Sequence, residues 1–180
     1  MNIWQYSDIV TRRLLTWAGV STTLGVAMLA VRPQSKFWRG VASQFVAWAA
    51  VNAGIGLFAR LTARKREKTL PDAHTARRMK KEAANLSRLT WINTGLDVLY
   101  VMGGARLGAD RPHDDMRAGL GVGIMLQGAA LFVFDLVHAL LTRPFLARGR
   151  TAPAKWSDGL DDALEDIRET VAEVVHVRHR

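Results

Sequence analysis

Residues 118–142, AGLGVGIMLQGAALFVFDLVHALLT, lie between Arg117 and Arg143 and contain no Lys or Arg. Their only ionisable side chains are Asp135 and His138. A helix rising ~1.5 Å per residue crosses the ~30 Å hydrocarbon core of a bilayer in about 20 residues. This stretch of 25 residues therefore predicts a transmembrane helix. Three further apolar runs precede it, at 14–31, 40–59 and 89–105. The expected fold is all-α: a transmembrane four-helix bundle over residues 1–145, with spans near 14–31, 40–59, 89–105 and 118–142. A basic segment at 60–88 separates the second and third spans, and Pro71-Asp72 reads as the start of a new helix there. Residues 146–180 read as a linker followed by an acidic amphipathic helix.

Ahead of the first run, residues 1–13 place Ile3, Trp4, Ile9 and Val10 among polar positions and end on Arg12-Arg13. That pattern suits a short helix lying at headgroup level. A basic pair before an apolar run also resembles a secretory signal, but no small-x-small cleavage site precedes Arg32, so the run is expected to stay as a span.

Counting Lys and Arg outside the spans orients the bundle. With the N-terminus inside, two fall before residue 14, ten in 60–88 and seven beyond 142, a total of 19 against six in the two outer loops. Basic residues are retained on the cytoplasmic side, so both termini are expected there, in a bacterial inner membrane.

Several function classes are excluded by what the chain lacks. It has no cysteine, hence no disulfide framework and no thiolate metal site. Of its five histidines only His138 lies in an apolar run, so no histidine pair is available to ligate haem, and no cofactor or metal is expected. The sequence pI near 10.8 suggests nucleic acid, but the basic residues bunch at the ends of apolar runs, as membrane topology requires, and no nucleic-acid partner is expected. No nucleophile stands at workable spacing from a base, so no catalytic residues are assigned and the reading leans away from an enzyme.

The polar residues inside the runs are the candidate site. An ionised carboxylate at the bilayer centre costs at least ~2.5–3.5 kcal/mol, so an acidic residue there normally faces the bundle interior with a partner. Asp97 sits mid-run, with Asn93 four residues before it and Tyr100 three after it, all on one helical face. In the fourth run Gln127, Asp135 and His138 fall within about 80° of one another. In the second, Gln44 and Asn52 share a face with Trp48. Asn52, Asn93, Asp97 and Asp135 fall at similar depth and are expected to meet in one layer, with His138 nearer the cytoplasm, pairing with Asp135 or reaching the interface. One reading makes this layer interhelical glue, helped by small residues at Gly54, Gly95, Gly103, Gly104, Gly119, Gly123 and Gly128. The other makes it a proton or ligand pathway.

The stretches Gln44-x3-Trp48-x3-Asn52-Ala-Gly54, Asn93-Thr-Gly95-Leu-Asp97-x2-Tyr100 and Gln127-Gly128-x5-Phe134-Asp135 resemble small four-span bacterial membrane proteins of uncharacterised function. The resemblance covers roughly residues 8 to 145. It implies four spans and a shared polar layer, and it implies no reaction.

From Ser157 onward Leu160, Leu164, Ile167, Val171 and Val174 recur at helical spacing with acidic residues on the other face. Their apolar stripe needs a cover, in the basic segment of the same chain, in a second copy or in another membrane-protein subunit. The leading expectation is therefore an accessory subunit or scaffold of a larger membrane assembly. The alternative is a small proton- or ligand-coupled transporter or channel-like protein using the intramembrane polar cluster, with the lipid bilayer as its surroundings in either case.

Overall fold

The computed structural model describes residues 1–109 and 114–147. They form four helices: α1 (Ile3–Val31), α2 (Lys36–Thr69), α3 (Ala76–Ala109) and α4 (Asp115–Leu146). There is no strand among the described residues. The acidic helix expected from Ser157, with Leu160, Leu164, Ile167, Val171 and Val174, lies outside them.

Local chemistry sets the helix ends. Asn2 and Gln5 form a capping box at the start of α1: the Gln5 amide donates to Asn2 Oδ1 and the Asn2 amide to Gln5 Oε1, both at 3.0 Å. Ser35 Oγ accepts from the Trp38 amide to begin α2, and Asp114 Oδ1 accepts from the Met116 and Arg117 amides to begin α4. α2 stops just before Pro71, which cannot continue a helix, with Arg66 and Lys68 in its last turn against the negative end of the dipole. The new helix begins later than Pro71-Asp72 suggests. Residues 71–75 form turns, and Thr75 Oγ1 accepts from the Arg78 amide to open α3 at Ala76.

The helices pack as two antiparallel hairpins, α1 with α2 and α3 with α4, joined by α2 running alongside α4. Close approach depends on glycine. A Cβ on Gly119 would collide with the Phe37 carbonyl oxygen, and one on Gly40 would lie 2.6 Å from the Met116 carbonyl oxygen, so α2 and α4 meet backbone to backbone. Gly104 and Gly121 do the same between α3 and α4. Gly123 and Gly128 are also seated against neighbours, whereas a Cβ at Gly54, Gly95 or Gly103 would meet nothing within 4 Å.

Two zones follow along the helix axes. At the end where α1 begins and α2 finishes, Ile3, Trp4, Tyr6, Val10, Ala73 and Ala83 form a buried apolar core flanked by Met79, Leu86, Phe134 and Phe145. The Trp4 indole donates to the Ala73 carbonyl at 3.0 Å, tying α1 to the α2–α3 connection. The N-terminal segment is therefore not a separate surface helix. It is the first third of α1, and Trp4, Tyr6 and Val10 are buried because the 60–88 hairpin and the end of α4 rise beside them. Basic residues surround this end, and Arg66 pairs with the buried Glu82 at 2.8 Å.

In the other zone, over the apolar runs, the usual burial pattern is inverted. Large apolar side chains face outward: Leu24 and Val26 on α1, Val51 and Phe58 on α2, Leu96 and Leu99 on α3, Leu126 and Val133 on α4. Inside are glycines with Ser21, Asn52, Thr94, Asp97, Gln127 and Asp135, alongside Val41, Phe45 and Leu131. By length and composition α1, α2 and α4 are each apolar enough to cross a membrane. α3 is not among them: its apolar run between Arg88 and Arg106 is 17 residues long and contains both Asn93 and Asp97.

Candidate functional site

Buried hydroxyls in the inverted zone are largely satisfied by their own helices. Thr90 Oγ1 donates to Leu86 and Ser87 carbonyls, and Thr94 Oγ1 to the Thr90 carbonyl at 2.8 Å. They need no partner across the bundle. Carboxyl, amide and imidazole groups have no such local option, and these assemble into three separate groups along the inner face of α4.

The first group joins α3 to α4. Asp97 and Asp135 lie within hydrogen-bond reach of each other, and Asn93 reaches Asp135 from one turn before Asp97. Asp97 is 3% exposed and Asp135 7%. Two carboxyl oxygens can share a hydrogen bond only when one of them carries a proton. Asp97 Oδ2 and, on α2, Asn52 Nδ2 are buried without a hydrogen-bond partner among the described residues. One is an acceptor and the other a donor, and buried polar atoms are rarely left so. Trp48, one turn before Asn52, meets Tyr100 edge-on at 4.8 Å between ring centroids, and Tyr100 follows Asp97 by three residues.

The second group joins α1 to α4. Gln127 is fully buried, its Oε1 accepting from the Trp17 indole at 3.2 Å and its Nε2 donating to Ser21 Oγ at 3.3 Å. Both ends of the amide are thereby used.

The third group lies at the basic end. The Tyr6 hydroxyl and His138 Nδ1 share a 2.8 Å hydrogen bond, both residues being almost wholly buried, and Phe134 stacks edge-on against the imidazole at 4.5 Å. Thr142 Oγ1 donates to the His138 carbonyl at 2.7 Å.

The expected single layer is thus divided. Asn93, Asp97 and Asp135 come together as the sequence suggests. Gln127 turns to α1, and His138 pairs with Tyr6 rather than with Asp135. Gln44 is half-buried with its aliphatic carbons against Gly123, and Tyr100 is exposed at the bundle surface. Sequence reasoning missed Tyr6, Trp17 and Ser21, whose partners lie more than 100 residues away. Among the described residues no three His, Asp or Glu side chains converge to hold a metal ion.

At the basic end Asp8 is the hub of an ion-pair cluster with Arg12, Arg60 and Arg64. Burial pushes its carboxyl up, but the Arg60 hydrogen bond and the charges of the three guanidiniums outweigh this and hold it below the usual 3.8.

Set against known families, residues 13–136 match the model of a family of unknown function, DUF6992. The matched region contains the Asp97–Asp135 pair and the Trp17–Gln127–Ser21 group, but neither Tyr6 nor His138. No curated protein and no solved structure matches the chain.

Proposed function

This chain belongs to the DUF6992 family of unknown function, which brings no activity with it, and we propose its role from its own residues: a four-span membrane protein in which Asp97 and Asp135 form an intramembrane proton-binding site, as in a small transporter or channel-like protein. The membrane reading is supported by the inverted burial, since outward Leu, Val, Ile and Phe with an interior of small and polar groups suits lipid surroundings. It extends to α3, whose outward residues Leu89, Ile92, Leu96 and Leu99 give it the same lipid-facing surface despite Asp97. The basic end, which gathers most of the Lys and Arg, lies on the cytoplasmic side in this reading, together with both termini.

The observation that carries the functional reading is the carboxyl pair itself. The ion pairs at Arg12, Arg60, Arg64, Arg66 and Arg78 all lie at the basic end and none involves Asp97 or Asp135. Two acidic groups sharing one proton in an apolar zone exceed what helix association requires, because one amide or hydroxyl per interface serves as glue. The test is proton flux into proteoliposomes containing the purified protein. Asp97→Asn and Asp135→Asn are each expected to abolish it while leaving the protein folded in detergent. Flux that persists in both variants would remove the pair from any transport role.

A second reading, an accessory subunit or scaffold of a larger assembly, is favoured by the 60–88 segment, which shares one apolar core with the start of α1 and the end of α4 and presents a basic surface. Its expected counterpart is an acidic partner, whether the chain's own residues 157–180 or another subunit. If every co-purifying partner remained after deletion of 157–180, the tail would lose its part in that reading.

A further inference from the structure

The Asp8 cluster contains more positive charge than the fold uses. Asp8 and Arg12 are one turn apart on α1, Arg60 and Arg64 one turn apart on α2, and the antiparallel packing brings the two pairs together. Arg12 Nε lies 2.7 Å from Asp8 Oδ2, while Arg60 Nε and Arg64 Nη2 lie 3.0 and 3.1 Å from Oδ1. Each guanidinium reaches the carboxylate through one nitrogen, yet each carries five N–H donors in a fork that matches a phosphate. Asp8 fixes three forks side by side without exhausting them.

The forks border a cleft of about 420 Å³ between the first turns of α1 and the last turns of α2, whose other lining residues include Ser7, Ile9 and Glu67. With Glu67 and Asp8 counted, its lining still carries three positive charges against two negative. The guanidiniums are not buried: the Arg12 side chain is 62% exposed and that of Arg64 50%.

Position identifies the ligand's source. Arg12 stands two residues before the first apolar run, and Arg60 immediately follows the second, which ends at Ala59. At ~1.5 Å per residue both lie within a few ångströms of the apolar boundary, the level of lipid phosphates. Leu57, Arg60 and Arg64 share one face of α2, and Leu57 is 51% exposed directly on the apolar side of the guanidiniums. An anion held by the arginines thus has an apolar track leading away from it, which suits an acyl chain and gives nothing to a free ion. Basic pockets between helices on the cytoplasmic side are a recurrent form of anionic-lipid site. We infer that the cleft between α1 and α2, through Arg12, Arg60 and Arg64 preorganised by Asp8, binds the phosphate of an anionic glycerophospholipid of the surrounding leaflet. The inference rests on the membrane reading above.

The test uses the full-length protein in nanodiscs of equimolar phosphatidylglycerol and phosphatidylcholine, with lipids retained on release read by native mass spectrometry. The wild type is expected to retain phosphatidylglycerol in preference, and each guanidinium removed to cost about fivefold in that preference. Arg60→Gln with Arg64→Gln should therefore lose it, and Arg12→Gln, which leaves two arginines on Asp8, should lose part of it while keeping the fold. Arg77→Gln with Arg78→Gln, at the separate basic cleft beside Asp72, should leave it intact. Equal retention of both lipids by the wild type, or a preference that survives the Arg60 and Arg64 changes, overturns the inference. So does inorganic phosphate that raises the melting temperature in detergent through the same arginines when phosphatidylglycerol does not. Loss of the protein from membranes on carbonate extraction is a separate readout, and it would instead defeat the membrane reading.

Discussion

His138 shows how a buried titratable side chain is settled by one distant hydroxyl. Its Nδ1 has Tyr6 as hydrogen-bond partner, and Phe134 covers the ring. Tyr6→Phe keeps the volume and removes that partner, leaving a buried imidazole nitrogen unsatisfied. Such a loss costs about 1–3 kcal/mol, so the variant is expected to melt several degrees lower in detergent, with the Asp97–Asp135 group undisturbed. Asp8 behaves differently because its anion is the favoured form. Its folded-state pKa lies below the unfolded value of 3.8, so its contribution is complete above that value and is lost as pH falls through the folded pKa. Asp8→Asn should lower the melting temperature at neutral pH, and the gap to wild type should close as pH falls below 3.8 and on through the lower folded-state pKa. At this scale the sequence is informative where partners are one turn apart. That Asn93 and Asp97 share a face follows from helical periodicity. The Tyr6–His138 and Trp17–Gln127 bonds do not, because nothing local in the chain records which face of α1 meets α4.

Between elements, backbone approach at glycine decides which helices touch. Gly119 has the Phe37 carbonyl where its Cβ would be, whereas Gly103 faces open space. Gly119→Ala is therefore expected to push α2 from α4 at a cost of about 1–3 kcal/mol, the usual range for overpacking. Gly103→Ala should be neutral or slightly stabilising, since Ala is the better helix former. Thermal unfolding in one detergent compares the two directly. Their sequence contexts do not tell them apart: a glycine in an apolar run reads as a contact residue whichever way it points. Gly40 and Gly121 are contacts that spacing alone did not single out. The apolar runs marked four helices correctly but understated their length, because a helix continues through Arg and Lys as readily as through Leu when a packed core lies alongside. The same core explains the N-terminal segment, whose Trp4 and Val10 suit an interface on their own and become interior once the 60–88 hairpin stands next to them.

For the whole molecule, the number of crossings is the open quantity with the sharpest consequence. Four spans put Met1 and Ala147 on the same side, and three put them on opposite sides. Because the outward face of α3 matches those of its neighbours, labels placed before Met1 and after Ala147 are both expected to react only from the cytoplasmic side in intact cells. The family match takes in the buried carboxyl pair together with the basic 60–88 segment. The basic end adds a mechanical property. α2 runs unbroken from the apolar zone to Thr69, so residues 60–69 are a rigid arm of about 15 Å beyond the charge-free run that ends at Ala59. Helices tilt to match bilayer thickness, and a re-tilt of about 10° would sweep the tip of that arm by about 3 Å. Trp4 and Arg66 tie the other helices to it, so in the proposed membrane setting a change of bilayer thickness would carry this end of the bundle as one piece.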